Sequence, residues 1–302
     1  MILYRTHVIL VSYLFSVTTL CAQNTTLQSR ISDFLKNKKA TVGVSVLTER
    51  GDTLLYNNNL RYPLLSVFKF HIALAVLDKM DHAGTSLDSI LHISSSQLQK
   101  NTYSPLRDKY PNQDINISLR DLLKYSVSLS DNNACDILID YAGGISKVDS
   151  YIRKLGIKNF HLSETENTMH QDPEKAPYNN WSYPSEATHL LFIADTKALF
   201  SNNYKEFLTE IMLSTTTGTD KLKGLLPPST QVGHKTGSSD RNPNGMKLAD
   251  NDLGFVTLPC GVKYYIAIFV MNSYETDQEN ASIIAFISRL IYDELNTRYS
   301  NR

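Results

Sequence analysis

Two β-rich runs open the patterned part of the chain: Thr41 to Leu47 (TVGVSVL), where apolar and small residues alternate, and Asp52 to Tyr56 (DTLLY). Glu49-Arg50-Gly51-Asp52 separates them, and its glycine suits a tight turn, so the pattern predicts an antiparallel hairpin. Before it, Leu27 to Leu35 carries Ile31, Phe34 and Leu35 at helical spacing. Near the other end, Gln231 to Thr236, Gly254 to Thr257 and Tyr264 to Met271 read as strands, and Ala281 to Leu295 reads as a closing helix. Both ends therefore supply sheet. From about Ser66 to Ser214 the period is helical, as in Leu119 to Tyr125 and Ala134 to Tyr141, broken by polar loops. The most loop-like stretch, Asp240 to Asp252 (DRNPNGMKLADND), reads as an exposed connection between two strands.

This arrangement predicts an α/β, two-domain sandwich: an antiparallel sheet built from both termini and covered by helices, with an inserted all-helical domain. Residues 23–62 and 215–302 form the α/β domain and residues 63–214 the helical one, and a small-molecule site is expected in the cleft between them.

Composition narrows the function. The 302 residues are 42% hydrophobic and 20% charged, and Lys+Arg and Asp+Glu each total 30, so no global field favours nucleic acid or an anionic membrane. Arg5 and His7 precede an apolar run from Val8 to Leu20 and then Cys21-Ala22-Gln23. Such a segment reads as a signal peptide over residues 1–22, because the run is shorter than the ~20 apolar residues a membrane span needs. The mature protein is then expected in the periplasm. Cys135 and Cys260 remain after cleavage and are expected to be free, buried thiols, with a disulfide between them as the alternative. The eight histidines form no H-x-H or H-E-x-x-H pair, and no phosphate-binding G-x-x-x-x-G-K-[ST] occurs, so neither metal nor cofactor is expected.

Candidate chemistry sits in three short motifs. Ser66-Val67-Phe68-Lys69 opens the helical run FKFHIALAVL, which places a hydroxyl and an amine on one face among the unpaired N–H groups of a helix start. Ser130-Asp131-Asn132 lies between two helical stretches, where a turn can present its side chains. Lys235-Thr236-Gly237-Ser238 follows the strand-like QVGH, so Lys235 and Gly237 share a face. Each alone has a plainer reading, as a helix cap with a solvated lysine, another cap, and a strand running into a turn.

Together and in this order, the motifs resemble the set shared by class A serine β-lactamases and penicillin-binding proteins. Tyr103-Ser104-Pro105 also resembles the family's cleft-edge tyrosine segment, and Thr215-Thr216-Thr217-Gly218 its threonine-glycine stretch. Glu164-Thr165-Glu166-Asn167-Thr168-Met169-His170 looks like the lactamase omega loop, with Glu166 matching the glutamate that directs the deacylating water.

The resemblance implies hydrolysis of penicillins and cephalosporins, and so antibiotic resistance, through an acyl-enzyme on Ser66. Its proton goes to Lys69, or to Glu166 through water, and Ser130 relays a proton to the leaving nitrogen. The N–H groups of Ser66 and Ser238 form the oxyanion hole, Tyr103 and Asn132 contact substrate, and Lys235, Thr236, Gly237 and Ser238 bind its carboxylate. Relatives often place an arginine on the following strand; LGFVTL has none, and Lys221 or Lys223 is the expected replacement cation. His170 stands where the family usually has an asparagine that helps hold the water, and Glu164 where it often has an arginine, so the loop is expected to be anchored differently. This histidine tilts the reading toward a cephalosporin-hydrolysing, extended-spectrum branch. The expected protein is a monomer acting on a small molecule. The alternatives are a penicillin-binding DD-peptidase or β-lactam sensor, which acylates without turnover, and a binding protein without catalysis.

Overall fold

The computed structural model describes residues 26–300, so the signal-peptide segment lies outside the described residues. Helix α1 covers residues 26–35. Strands β1 (Thr41–Thr48), β2 (Thr53–Tyr56) and β3 (Tyr62–Pro63) follow, then a 3-10 turn at Leu65–Val67 that runs straight into α2 (Phe68–Ala83). Next come β4 (Ile90–Ile93), α3 (Pro105–Lys109), β5 (Ile115–Ser118), α4 (Leu119–Ser128), α5 (Asn132–Ala142) and α6 (Ile145–Lys154). The middle ends with β6 (Phe160–His161), α7 (Glu166–Gln171), β7 (Trp181–Ser182), α8 (Pro184–Thr196) and α9 (Asn202–Leu213). The chain then returns to sheet with β8 (Gln231–Ser238), β9 (Lys247–Thr257) and β10 (Lys263–Ser273), and closes with α10 (Asp277–Ser300).

The main sheet has the order β2-β1-β10-β9-β8, antiparallel throughout, so both ends of the chain do build it. Its first hairpin turns on Gly51, whose φ of 89° is the conformation for which glycine is suited. Helices cover both faces. On β10, Tyr264, Ile266, Ile268 and Val270 point into a core with α1 and α10. Tyr265, Ala267 and Phe269, on the opposite side, join the core that continues into the helices. That period of two, apolar on both sides, is what a doubly covered strand requires. On α10, Ile283, Ile287, Ile291 and Leu295 recur every four residues and face the sheet. Each such side chain, fully buried, contributes about 1.5–3 kcal/mol of transfer free energy. The second core surrounds α2, which is buried from Phe68 to Leu77.

Two expectations change. The stretch expected to be loop up to Asp252 is loop only to Met246, since β9 begins at Lys247 and its residues are buried to Val256. Charge at the start of β9 misleads because its charges are paired: Lys247 meets Asp277, Lys221 meets Asp250 and His234 meets Asp252. The amide of Asn251 donates to the carbonyl of Pro63 at 2.7 Å and its oxygen accepts the N–H of Val270 at 3.1 Å. Both cysteines are free as expected, but Cys260 is exposed instead of buried. It occupies the tight β9–β10 hairpin beside Gly261, whose φ is 85°. Among the described residues, no helix is long and apolar enough to cross a membrane.

Candidate active site

Ser66 lies in the 3-10 turn just before α2, one residue pair ahead of the helix proper, and Lys69 follows within the first turn. The segment is held from below by Asn251, which ties Pro63 to the sheet. Gly237 of β8 lies so close that a Cβ there would sit 2.6 Å from the carbonyl oxygen of Leu64 and 3.1 Å from the amide nitrogen of Ser66. Only a residue without a side chain lets the strand approach this near. The approach brings the backbone at Ser238 alongside that of Ser66.

Ser130 occupies the bend between α4 and α5 with φ of 59°, a left-handed conformation that costs a non-glycine residue about 1–2 kcal/mol. The buried Asp131 carboxylate holds the bend. It caps α5 through the N–H of Ala134 at 2.8 Å and accepts from Ser104 Oγ and the N–H of Leu106 at 2.7 Å. Burial pushes this carboxyl above the usual range, and those donors pull the other way.

These elements converge on Lys69, which is 0% exposed. Its Nζ donates to Ser66 Oγ at 3.0 Å, to the Ser130 carbonyl at 2.7 Å and to Asn132 Oδ1 at 2.6 Å. It also lies 2.8 Å from Glu166 Oε1, to which Ser66 Oγ donates at 3.3 Å. On the other side, Lys235 Nζ donates to Ser130 Oγ at 2.9 Å and to the Thr236 carbonyl at 2.8 Å. Burial first, and the Lys69 charge second, push Lys235 well below the ordinary lysine range. Next to Lys235 on the same strand, Thr236 shares a hydroxyl hydrogen bond of 2.6 Å with Thr217.

The loop bearing Glu166 is anchored at both ends. At its catalytic end, Asp136 accepts the N–H groups of Glu166 and Asn167 at 2.8 and 2.9 Å. Burial, then the neighbouring Glu166 charge, push the Asp136 carboxyl up to about 7. At its base, buried Asn180 accepts the N–H groups of Ser163 and Glu164 and donates to the Glu164 carbonyl, all at 2.9 Å. Glu164 Oε1 accepts from Asn179 at 2.8 Å, so this position is hydrogen-bonded to a neutral partner instead of bridging two charges.

A cleft of about 580 Å³ opens in front of Ser66, bounded by Leu65, Asn132, Glu166 and His170 on one side and Ser238 on the other. His170 is exposed on its wall. Tyr103 is not brought in: its side chain is 57% exposed and lines neither this cleft nor the cavity behind Glu166, although its carbonyl accepts the N–H of Asn132 at 3.0 Å. Lys221 is buried and paired with Asp250, beside Thr236. Three contributors escape a reading of the sequence: Thr102, Asp136 and Asn251. Asp136 has a signal, since it lies four residues after Asn132 and so on the same helical face. Thr102 hydrogen-bonds Asn132 Nδ2 at 2.7 Å but carries no motif. No group of His, Cys, Asp and Glu able to hold a metal occurs among the described residues.

Residues 26–295 match the model of the "Beta-lactamase enzyme family". A beta-lactamase of Bacteroides uniformis is 61% identical over 274 residues, covering 90% of this chain and 92% of that protein. The extended-spectrum beta-lactamase PER-1 of Pseudomonas aeruginosa is 36% identical over 279 residues, covering 92% of this chain and 90% of its own. The crystal structure of a class A beta-lactamase from Bacteroides cellulosilyticus superposes with a TM-score of 0.89 at 58% identity, over 91% of this chain and 99% of that one.

Proposed function

The chain belongs to the class A branch of the beta-lactamase enzyme family and hydrolyses β-lactams, and we propose that it does so on penicillins and cephalosporins through an acyl-enzyme on Ser66. One observation carries this reading: a single cluster in which Lys69 Nζ touches both Ser66 Oγ and Glu166 Oε1.

Ser66 Oγ attacks the lactam carbonyl while its proton leaves to Lys69, or to Glu166 through water, both groups lying beside the hydroxyl. The N–H groups of Ser66 and Ser238 receive the carbonyl oxygen as it becomes anionic, and one such donor is worth about 10²–10³ in rate. The C–N bond then breaks as Ser130 gives its proton to the nitrogen, and the proton taken from Ser66 restores Ser130, so that Glu166 enters the second half as a carboxylate. Lys235, hydrogen-bonded to Ser130 Oγ, supports that transfer, and an arriving substrate carboxylate favours its charged form. Thr236 and Ser238 hold the same carboxylate, Asn132 the side-chain amide, and Gly237 the close backbone approach. In the second half, water adds to the ester carbon, giving its proton to Glu166, and the C–O bond to Ser66 breaks with return of a proton to Oγ.

The same reading takes residues 23–62 and 215–302 as the α/β domain and 63–214 as the helical one, and the mature protein as a periplasmic monomer. His170 lines the cleft where substrate side chains pass. Glu166 within 3.3 Å of Ser66 supports turnover over the stalled acylation of a penicillin-binding peptidase or sensor.

The test combines a chromogenic cephalosporin assay on residues 23–302 with intact-protein mass spectrometry after benzylpenicillin. Turnover without a lasting adduct is expected of the parent, no turnover of Ser66→Ala, and a persistent adduct on Ser66 with Glu166→Ala. A lasting adduct on the parent overturns hydrolysis, and parental turnover by Glu166→Ala overturns the assignment of the base.

A further inference from the structure

Behind Glu166, away from the substrate cleft, lies a second cavity of about 410 Å³. Its mouth is formed by the exposed residues Ser96, Gln99, Lys100 and Asn101, and its inner end reaches Asp136, Asn167 and Glu166. Four residues, Thr102, Asn132, Glu166 and His170, border both this cavity and the cleft in front of Ser66. The wall between the two spaces is therefore one side chain thick, and Glu166 is part of it. Because one water needs only about 10–15 Å³ of such space and two to four polar partners, a cavity this large, with Asn132, Asp136, Glu166 and Asn167 on its lining, has room for a chain of waters.

We propose that this rear cavity supplies the water consumed in deacylation. The argument rests on Glu166 being the deacylating base, as above. Once Ser66 is acylated, the ester and its side chain occupy the front cleft, between Glu166 and the β8 edge. Each turnover then uses one water, whose oxygen goes to the product carboxylate, one hydrogen to that acid and the other to Ser66 Oγ. The replacement reaches Glu166 most directly from the side the acyl group does not cover. The lining is held open by bonds that do not involve the water path: Asn133 fixes Gln99 by accepting its N–H at 2.7 Å and donating to its carbonyl at 3.1 Å. Asn132 is tied to Thr102 and Lys69, and Asp136 holds the backbone of Glu166. His170, on the shared wall, is placed to narrow or widen the connection.

Blocking the mouth tests this, using two positions whose side chains lie outside the catalytic cluster. Gln99→Trp and Asn101→Trp are expected to acylate at the parental rate with benzylpenicillin yet deacylate roughly tenfold or more slowly, so that adduct on Ser66 accumulates by mass spectrometry. Gln99→Ala and Asn101→Ala are expected to behave as the parent. If either folded tryptophan variant acylates and deacylates like the parent, the route is wrong. If acylation and deacylation slow equally in both, the residues position the site and do not conduct water, which also overturns the proposal. Failure of the underlying reading looks different: Glu166→Ala then turns over without accumulating adduct, whatever the mouth variants do.

Discussion

Asp136 and Glu166 meet through a backbone hydrogen bond: the N–H of Glu166 donates to Asp136 Oδ1 at 2.8 Å, and the next N–H, of Asn167, donates to Oδ2 at 2.9 Å. One carboxylate on α5, a turn beyond Asn132, thus fixes where the Glu166 side chain begins. Position and charge are coupled here, because the two carboxyl groups repel each other while the backbone bonds require the Asp136 oxygens to accept.

Asp136→Asn presents an amide donor to one of those N–H groups, leaving two donors opposed in a buried place. A loss of about 1–3 kcal/mol is expected near neutral pH, together with slower deacylation as Glu166 shifts. The pH dependence carries a sign. Burial raises the Asp136 carboxyl from its ordinary 3.8 to about 7, so the folded state binds a proton that the unfolded chain has released. This group's contribution to stability is therefore fully present below the unfolded value and is lost as pH rises through about 7. Thermal unfolding of parent and Asp136→Asn across pH 4–8 should show the parent losing ground to the variant as pH rises, then levelling above about 8. A difference independent of pH shows that Asp136 does not titrate in this range.

Gly237→Ala tests the close approach of β8 to Ser66. With 2.6 Å to the carbonyl of Leu64, the methyl has no room, and the strand has to move away from the Ser66 amide. Separating the two oxyanion donors is expected to lower kcat by about 10²–10³, while overpacking costs about 1–3 kcal/mol. A variant that keeps parental kcat shows that the hole does not depend on this spacing.

The two loop anchors should differ in weight. Asn180→Ala removes three part-buried hydrogen bonds to the Ser163–Glu164 backbone, and the groups it leaves unpaired make a loss of about 2–3 kcal/mol the expected result. Glu164→Ala removes one exposed bond to Asn179, and about 0.5 kcal/mol or less is expected. Urea unfolding of both variants checks the ranking, and equal losses contradict it.

How much of this was legible depended on whether a residue's partner was near in sequence. Ser66 and Lys69 are three apart, and Ser130 to Asn132 are consecutive, so helix and turn geometry alone suggested that they act together. The hairpin at Gly51 and the closing helix were readable for the same reason. The polar start of β9 was not, because Asp250 and Asn251 are satisfied by Lys221 and Pro63, 29 and 188 residues away. A string of charged and amide residues normally marks solvent, and only the fold shows that each is met. Asp136 was missed because its role is to accept backbone N–H groups, which every residue but proline carries and no motif records.

Lys221 joins that buried network to the substrate question. It pairs with Asp250, which also lies 3.7 Å from Lys247, and Lys247 lies 3.1 Å from Asp277, itself bonded to Arg241. Three cations share two carboxylates in this network, and Lys221 is the one that lies beside Thr236. If its charge attracts the substrate carboxylate, Lys221→Met should raise KM about tenfold, equivalent to about 1.4 kcal/mol, with little change in kcat. The same substitution leaves Asp250 short of a partner, so stability falls too, by several kcal/mol at most. Lys221→Met combined with Asp250→Asn separates the two effects: the pair removes one charge of each sign and is expected to recover much of the lost Tm. The net charge of the network is then unchanged, but its remaining cations are Lys247 and Arg241, farther along the strand and loop. KM that stays high in the double variant assigns the attraction to Lys221 itself, whereas KM that returns with Tm assigns Lys221 to folding alone.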